Sequence, residues 1–194
     1  STLFAEGRYA EVLAQAQEMT VHYPRDGFSW KVVGVVLNQM GRIADALAPM
    51  QKAAALSPKD AEAHSNMGSL QQSLGQLDEA VASCRRALRL QPDFAAAHRH
   101  LGDALRDLGQ LDEAVKCYRR ALANNPNFPE ALNNLGVTLL DLGQSGEAIK
   151  CYHRALAIWP DFVETHYNLA AALHSLGQIN DAARSYRRAL EINP

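Results

Sequence analysis

Leu132, Leu135 and Leu139 place apolar side chains three and four residues apart, the spacing that gathers them on one face of an α-helix. Leu70, Leu74, Leu77, Val81 and Leu88 flank Gly75. Glycine reaches the left-handed conformation without steric penalty, so two helices joined at Gly75 are predicted, with these larger residues filling the space around them. The arrangement returns along the whole chain. Pro24, Pro58, Pro92, Pro126, Pro160 and Pro194 are each 34 residues apart. A proline lacks the amide donor and restricts its predecessor, so each one ends a second helix. A fixed period of this length means stacked copies of one supersecondary unit.

Small residues keep the same period. Gly34, Gly68, Gly102 and Gly136 share one phase, which Ala170 completes. Gly41, Gly75, Gly109, Gly143 and Gly177 share another, and Gly7 fits an incomplete first copy. Ala46, Ala80, Ala114, Ala148 and Ala182 form a third phase; Ala53, Ala87, Ala121, Ala155 and Ala189 form a fourth. Gly68 falls inside a predicted helix, where glycine costs about 1 kcal/mol relative to alanine. The expected compensation is close approach of the partner helix at Ala80. Asp78, Asp112 and Asn180 are expected to cap the second helices, with weaker caps where Ala44 and Gly146 take that phase. Pro129 suits a first helical position. Each copy is then an antiparallel helical hairpin that buries its apolar faces only by stacking on its neighbours.

Trp30, Gly34, Gly41, Ala46, Ala53 and Pro58 in one copy resemble the tetratricopeptide repeat (TPR), as do Leu101, Gly102, Leu105, Gly109, Ala114, Tyr118, Ala121 and Pro126 in another. The resemblance spans the chain: a half repeat over 1–26, then copies at 27–60, 61–94, 95–128, 129–162 and 163–194. It implies an all-α fold, a right-handed α–α superhelix of antiparallel hairpins in a single array. His64, His98 and His166 stand where the family often has Trp, Gln71 replaces a bulky apolar residue, and Pro49 is expected to kink or locally unwind its helix. The phrases Asn133 to Val137, Pro92 to Phe94 and Pro160 to Phe162 are similar to the TPR arm of O-linked N-acetylglucosamine transferases.

Charge is nearly balanced, 19 basic against 21 acidic residues, which gives no general pull toward nucleic acid or membrane surfaces. No long apolar segment or signal-like start is present. Three cysteines do not form a disulfide framework, so a reducing, cytoplasmic compartment is expected. Ser1 falls partway through a first helix and no helix follows Pro194. The expectation is a piece of a longer protein, able to self-associate through uncapped ends.

The resemblance implies that first helices line a concave groove. Asn66, His100, Asn134 and Asn168 share a phase there, with Val32 in the earliest copy. In the transferase-like arms such asparagines grip the backbone of an extended peptide, and a carboxamide both donates and accepts, as a peptide group requires. The alternative is that the carboxamides bridge neighbouring repeats. Lys31, Ser65, Ser69, Arg99, Asp103, Arg106, Asn133, Tyr167 and His174 are further groove candidates. The carboxylate clamp known in the family fits at Lys31 and Asn66 but fails at Val35, Ala96 and His100. Arg85, Arg86, Arg119, Arg120, Arg154, Arg187 and Arg188 read as a solvated outer face offset by acidic residues. The histidines show no metal-ligand spacing, and no phosphate loop, carboxylate pair or nucleophile constellation appears. The sequence therefore reads as a protein- or peptide-binding scaffold without cofactor, metal or catalysis. Two alternatives stand beside it: the substrate-recruiting arm of a glycosyltransferase, or a structural oligomerisation module.

Overall fold

A computed structural model describes residues 8–194, and among them every regular element is an α-helix. Eleven helices follow one another within these residues: α1 Tyr9–His22, α2 Gly27–Gln39, α3 Ile43–Leu56, α4 Ala61–Ser73, α5 Leu77–Leu90, α6 Ala95–Asp107, α7 Leu111–Asn124, α8 Pro129–Asp141, α9 Ser145–Ile158, α10 Val163–Ser175 and α11 Ile179–Ile192. The residue expected to belong to an incomplete first copy, Gly7, lies outside the described residues. The chain forms two compact units, 1–104 and 105–194. In the first, α2 pairs with α3 and α4 with α5; in the second, α8 pairs with α9 and α10 with α11. First helices also touch within each unit, α2 against α4 and α8 against α10.

The turn inside each hairpin has one cause. Gly41, Gly75, Gly109, Gly143 and Gly177 have φ of 74, 74, 75, 74 and 73°. Two backbone bonds close the helix end at Gly41: its N–H donates to Asn38 at 2.9 Å and Arg42 N–H donates to Leu37 at 2.9 Å. This is the Schellman arrangement, which satisfies carbonyls the helix leaves orphaned.

The mid-helix glycines have a different cause. A Cβ on Gly68 would lie 3.1 Å from the Ala80 carbonyl oxygen and tighter still against Cys84 Sγ. The close approach expected at Ala80 is therefore present. On Gly136 a Cβ would meet three ring atoms of Tyr152 at 2.5, 2.8 and 2.9 Å. Cys84, Cys117 and Cys151 are buried, and burial, the largest influence, pushes the Cys151 thiol up.

Two local expectations are revised. Asp78, Asp112 and Asn180 do not cap second helices; they lie inside them, after the N-cap residues Gln76, Gln110 and Gln178, none of which makes a side-chain cap bond. The carboxylates Asp78 and Asp112 instead complement the positive end of the helix dipole. Side-chain capping belongs to first helices: Asp26 accepts from Ser29 N–H and Asp60 from Ala63 N–H. Second, the helix does not unwind at Pro49: α3 is continuous from Ile43 to Leu56. Gln71, standing in place of a bulky apolar residue, is buried with its Oε1 accepting from Ser83 Oγ at 2.6 Å, a polar pair in an apolar slot.

The histidines at the Trp phase do the same work as the indole. Trp30 Nε1–H donates to the Pro24 carbonyl at 3.1 Å. His98 Nε2 reaches the Pro92 carbonyl at 2.9 Å and His166 Nε2 reaches that of Pro160 at 2.8 Å. At His64 Nε2 lies 3.3 Å from the Pro58 carbonyl and 3.1 Å from Arg86 Nε; a single ring nitrogen cannot donate to the first and accept from the second, so Arg86 competes with this tether. Trp30, His98 and His166 thus tie a first helix to the proline loop before it.

Candidate functional site

Two adjacent phases of the first helices carry the candidate side chains. One holds Lys31, Ser65, Arg99, Asn133 and Tyr167; the next residue on holds Val32, Asn66, His100, Asn134 and Asn168. Within each unit these two phases interlock. Ser65 Oγ and His100 Nδ1 are 2.9 Å apart, and Asn133 Oδ1 accepts from Asn168 Nδ2 at 3.0 Å. Both pairs are 35 residues apart in sequence, one repeat plus one position.

In the first unit Lys31 spans to the next first helix, with Nζ 2.9 Å from Asp60 and 2.6 Å from Glu62. Burial works to lower this ammonium, but the bonds to Glu62 and Asp60 outweigh it and hold it above its ordinary range. Asp60 is held low in return, burial being overcome by Lys31 and the Ala63 amide. His100 is 9% exposed and accepts from Arg99 Nη2 at 2.7 Å on Nε2. Nδ1 then carries the proton and donates to Ser65. Burial, helped by the Arg99 charge, pushes His100 down to about 3. Arg99 Nη1 meanwhile pairs with Asp103 at 2.9 Å. Asn66 is half-buried and, among the described residues, no side-chain hydrogen bond engages its carboxamide. It borders a cleft with Asn38, Gln39, Ser69, Arg99 and His100. A larger and more apolar cleft of about 500 Å³ lies between α1 and α2, over Val12, Ala16, Val32, Val35 and the exposed Phe28.

In the second unit Asn133 is 1% exposed. Its Nδ2 donates to Glu164 Oε1 at 3.0 Å, and its Oδ1 accepts from Thr165 Oγ1 at 3.0 Å as well as from Asn168. It bridges neighbouring first helices and is not available to a ligand. Asn168 keeps its carbonyl oxygen free of that bridge. Asn134 takes a long contact of 3.4 Å from Asn133 Nδ2. Arg106 lies 3.5 Å from Asp107. Tyr167 is 59% exposed and meets Tyr186 edge-on at 5.4 Å; His174 is exposed. The candidates thus divide: Asn66, Asn134, Asn168, Tyr167 and His174 face outward at least in part, while Lys31, His100, Arg99, Asp103 and Asn133 are engaged with their neighbours.

Among the described residues no cluster of three metal-ligating side chains occurs, and no helix is long and apolar enough to cross a membrane. What the arrangement offers is hydrogen-bonding carboxamides on the first helices of each unit.

This geometry defines a helical-hairpin repeat protein whose first helices carry hydrogen-bonding carboxamides. Family models match 61–94 and 128–193 as tetratricopeptide repeats and 102–143 as a TPR repeat. The chain belongs to the tetratricopeptide-repeat family. No curated protein matches it. Solved structures share the fold. Against Cut9–Hcn1, a hetero-tetramer of the APC/C, the TM-score is 0.88 at 20% identity, covering 98% of this chain and 38% of that one. TTC0263, a thermophilic TPR protein of Thermus thermophilus, gives 0.77 at 25% identity, covering 87% and 92%. YrrB, described as a TPR protein with an unusual peptide-binding site, gives 0.64 at 22% identity, covering 92% of each chain.

Proposed function

We propose that this chain is a non-catalytic, cytoplasmic scaffold that holds an extended protein segment along its first helices, in the concave groove that the family resemblance implies. The observation that carries the proposal is Asn66, whose carboxamide stands at a cleft with no partner of its own among the described residues. Asn134 and Asn168 repeat the group in the second unit. A carboxamide pairs with a peptide group whatever the sequence. Three such net bonds supply roughly 2–4 kcal/mol, and about 4 kcal/mol is only millimolar affinity. The remaining binding energy comes from neighbouring side chains, including the apolar cleft at Phe28. Peptide affinity of the Asn66→Ala/Asn134→Ala/Asn168→Ala variant tests the reading. Weakening by roughly thirtyfold to a thousandfold is expected at about 1.4 kcal/mol per tenfold; unchanged binding with intact helicity removes the carboxamides from the mechanism.

The glycosyltransferase-arm reading is narrower. It requires a nucleotide-sugar-binding domain in the same polypeptide, and sequencing the complete coding region tests that. Self-association has one observation in its favour: Leu176, Ile179 and Leu190 are 49, 55 and 64% exposed on the last hairpin. Light scattering over a concentration series tests it, and a monomer throughout excludes it.

A further inference from the structure

The cleft beside Asn66 has a chemistry of its own. Its volume is about 230 Å³, below the roughly 300–1,000 Å³ of small-molecule sites and suited to a single side chain. The floor is apolar, formed by Val35, Met50 and Leu70. The walls carry Asn38, Gln39, Asn66 and Ser69, whose side chains make no hydrogen bond among the described residues. The charged neighbours are already matched: Arg99 pairs with Asp103 at 2.9 Å and donates to His100 at 2.7 Å.

A pocket with an apolar base, neutral walls that both donate and accept, and its one cation already paired selects a particular partner. We propose that it receives a glutamine side chain from an extended peptide lying along the first helices. The two methylenes of glutamine cover the floor, and its carboxamide exchanges hydrogen bonds with Asn66, Ser69 and the pair at the end of α2. A leucine of similar length would leave the half-buried Asn66 and Ser69 groups without partners, at about 1–3 kcal/mol for each group shut off from water. A glutamate would surrender its hydration with no unpaired cation on the pocket wall to meet it. The inference rests on the peptide-binding reading above and narrows it to one position of the ligand.

The test is a phage-displayed random peptide library selected on the full 194-residue chain. The expected result is a family of peptides sharing glutamine at one position. In synthetic peptides, Gln→Leu or Gln→Glu at that position should raise Kd at least tenfold. Ser69→Leu, which fills the pocket, should weaken the glutamine peptide by a similar factor and leave the leucine peptide within twofold. The Asn38→Ala/Gln39→Ala variant changes only exposed residues, so it repeats the test where Ser69→Leu disturbs folding. Peptides recovered without a glutamine preference, or a Gln→Leu effect under twofold, overturn the pocket and leave peptide binding standing. Recovery of no peptide above an unrelated helical control overturns both.

Discussion

His100 makes the first unit sensitive to acid in a way that can be isolated. The ring is enclosed by Ser65, Arg99 and the cleft wall, with Arg99 donating to Nε2 at 2.7 Å. Protonation requires breaking that bond and placing two cations side by side in a buried site. Burial first, and the Arg99 charge second, hold the ring near 3 against an ordinary value of 6.5. The folded-state value is depressed, so between these limits the unfolded chain binds more protons than the folded one. Stability therefore falls as pH drops from about 6.5 toward 3. One pKa unit is about 1.4 kcal/mol, so the decline from pH 6.5 to pH 4.5 is roughly 2–3 kcal/mol from this ring. Replacing it, as in His100→Asn, removes the titration while keeping a polar group beside Ser65. Urea unfolding of both proteins at half-unit pH steps gives two stability curves. The wild-type curve should descend more steeply between pH 6.5 and 4.5, and the gap should narrow by about the stated amount. Parallel curves would show that His100 titrates normally and that Arg99 does not point at it in solution.

Gly136→Ala should destabilise the second unit. The new methyl meets the ring of the fully buried Tyr152 at 2.5 Å, and overpacking of about 1–3 kcal/mol exceeds the helix-propensity gain of about 1 kcal/mol; Tyr152→Leu in the same chain should recover part of the loss in thermal unfolding. Asn133→Ala strands the Thr165 hydroxyl, which is fully buried, and should cost about 2–3 kcal/mol. A double-mutant cycle with Thr165→Val should show coupling of at least about 0.5 kcal/mol, and strict additivity would mean the bond contributes nothing.

Much of this was legible before any coordinates. Gly75 and its periodic equivalents announce the left-handed turns because no other residue adopts φ near +74° freely, and Gly68 against Ala80 announces the helix contact. Periodicity says less about which of two adjacent polar residues faces outward. Asn133 and Asn134 differ by one position, about 100° around the helix, and only the neighbours decide their fates: Glu164 and Thr165 enclose the first. The caps failed for a related reason. Asp78 is a good cap residue in the wrong place, since the Schellman turn at Gly75 brings the new helix in at Leu77, with Gln76 before it. The pocket at Asn38 and Gln39 is not singled out by sequence, because the position of Gln39 is polar in every repeat, with Ser73, Asp107, Asp141 and Ser175.

The ring-to-proline tethers bear on how freely such hairpins can be recombined. The acceptor is a main-chain carbonyl that every hairpin supplies, and the donor is whichever N–H-bearing ring the following hairpin happens to carry. Neither side reads the identity of the other. The tether therefore sets no order among hairpins opening with Trp30, His98 or His166; order is written instead in the side chains that join neighbouring first helices, Lys31 with Asp60 and Glu62, Ser65 with His100, and Asn133 with Thr165.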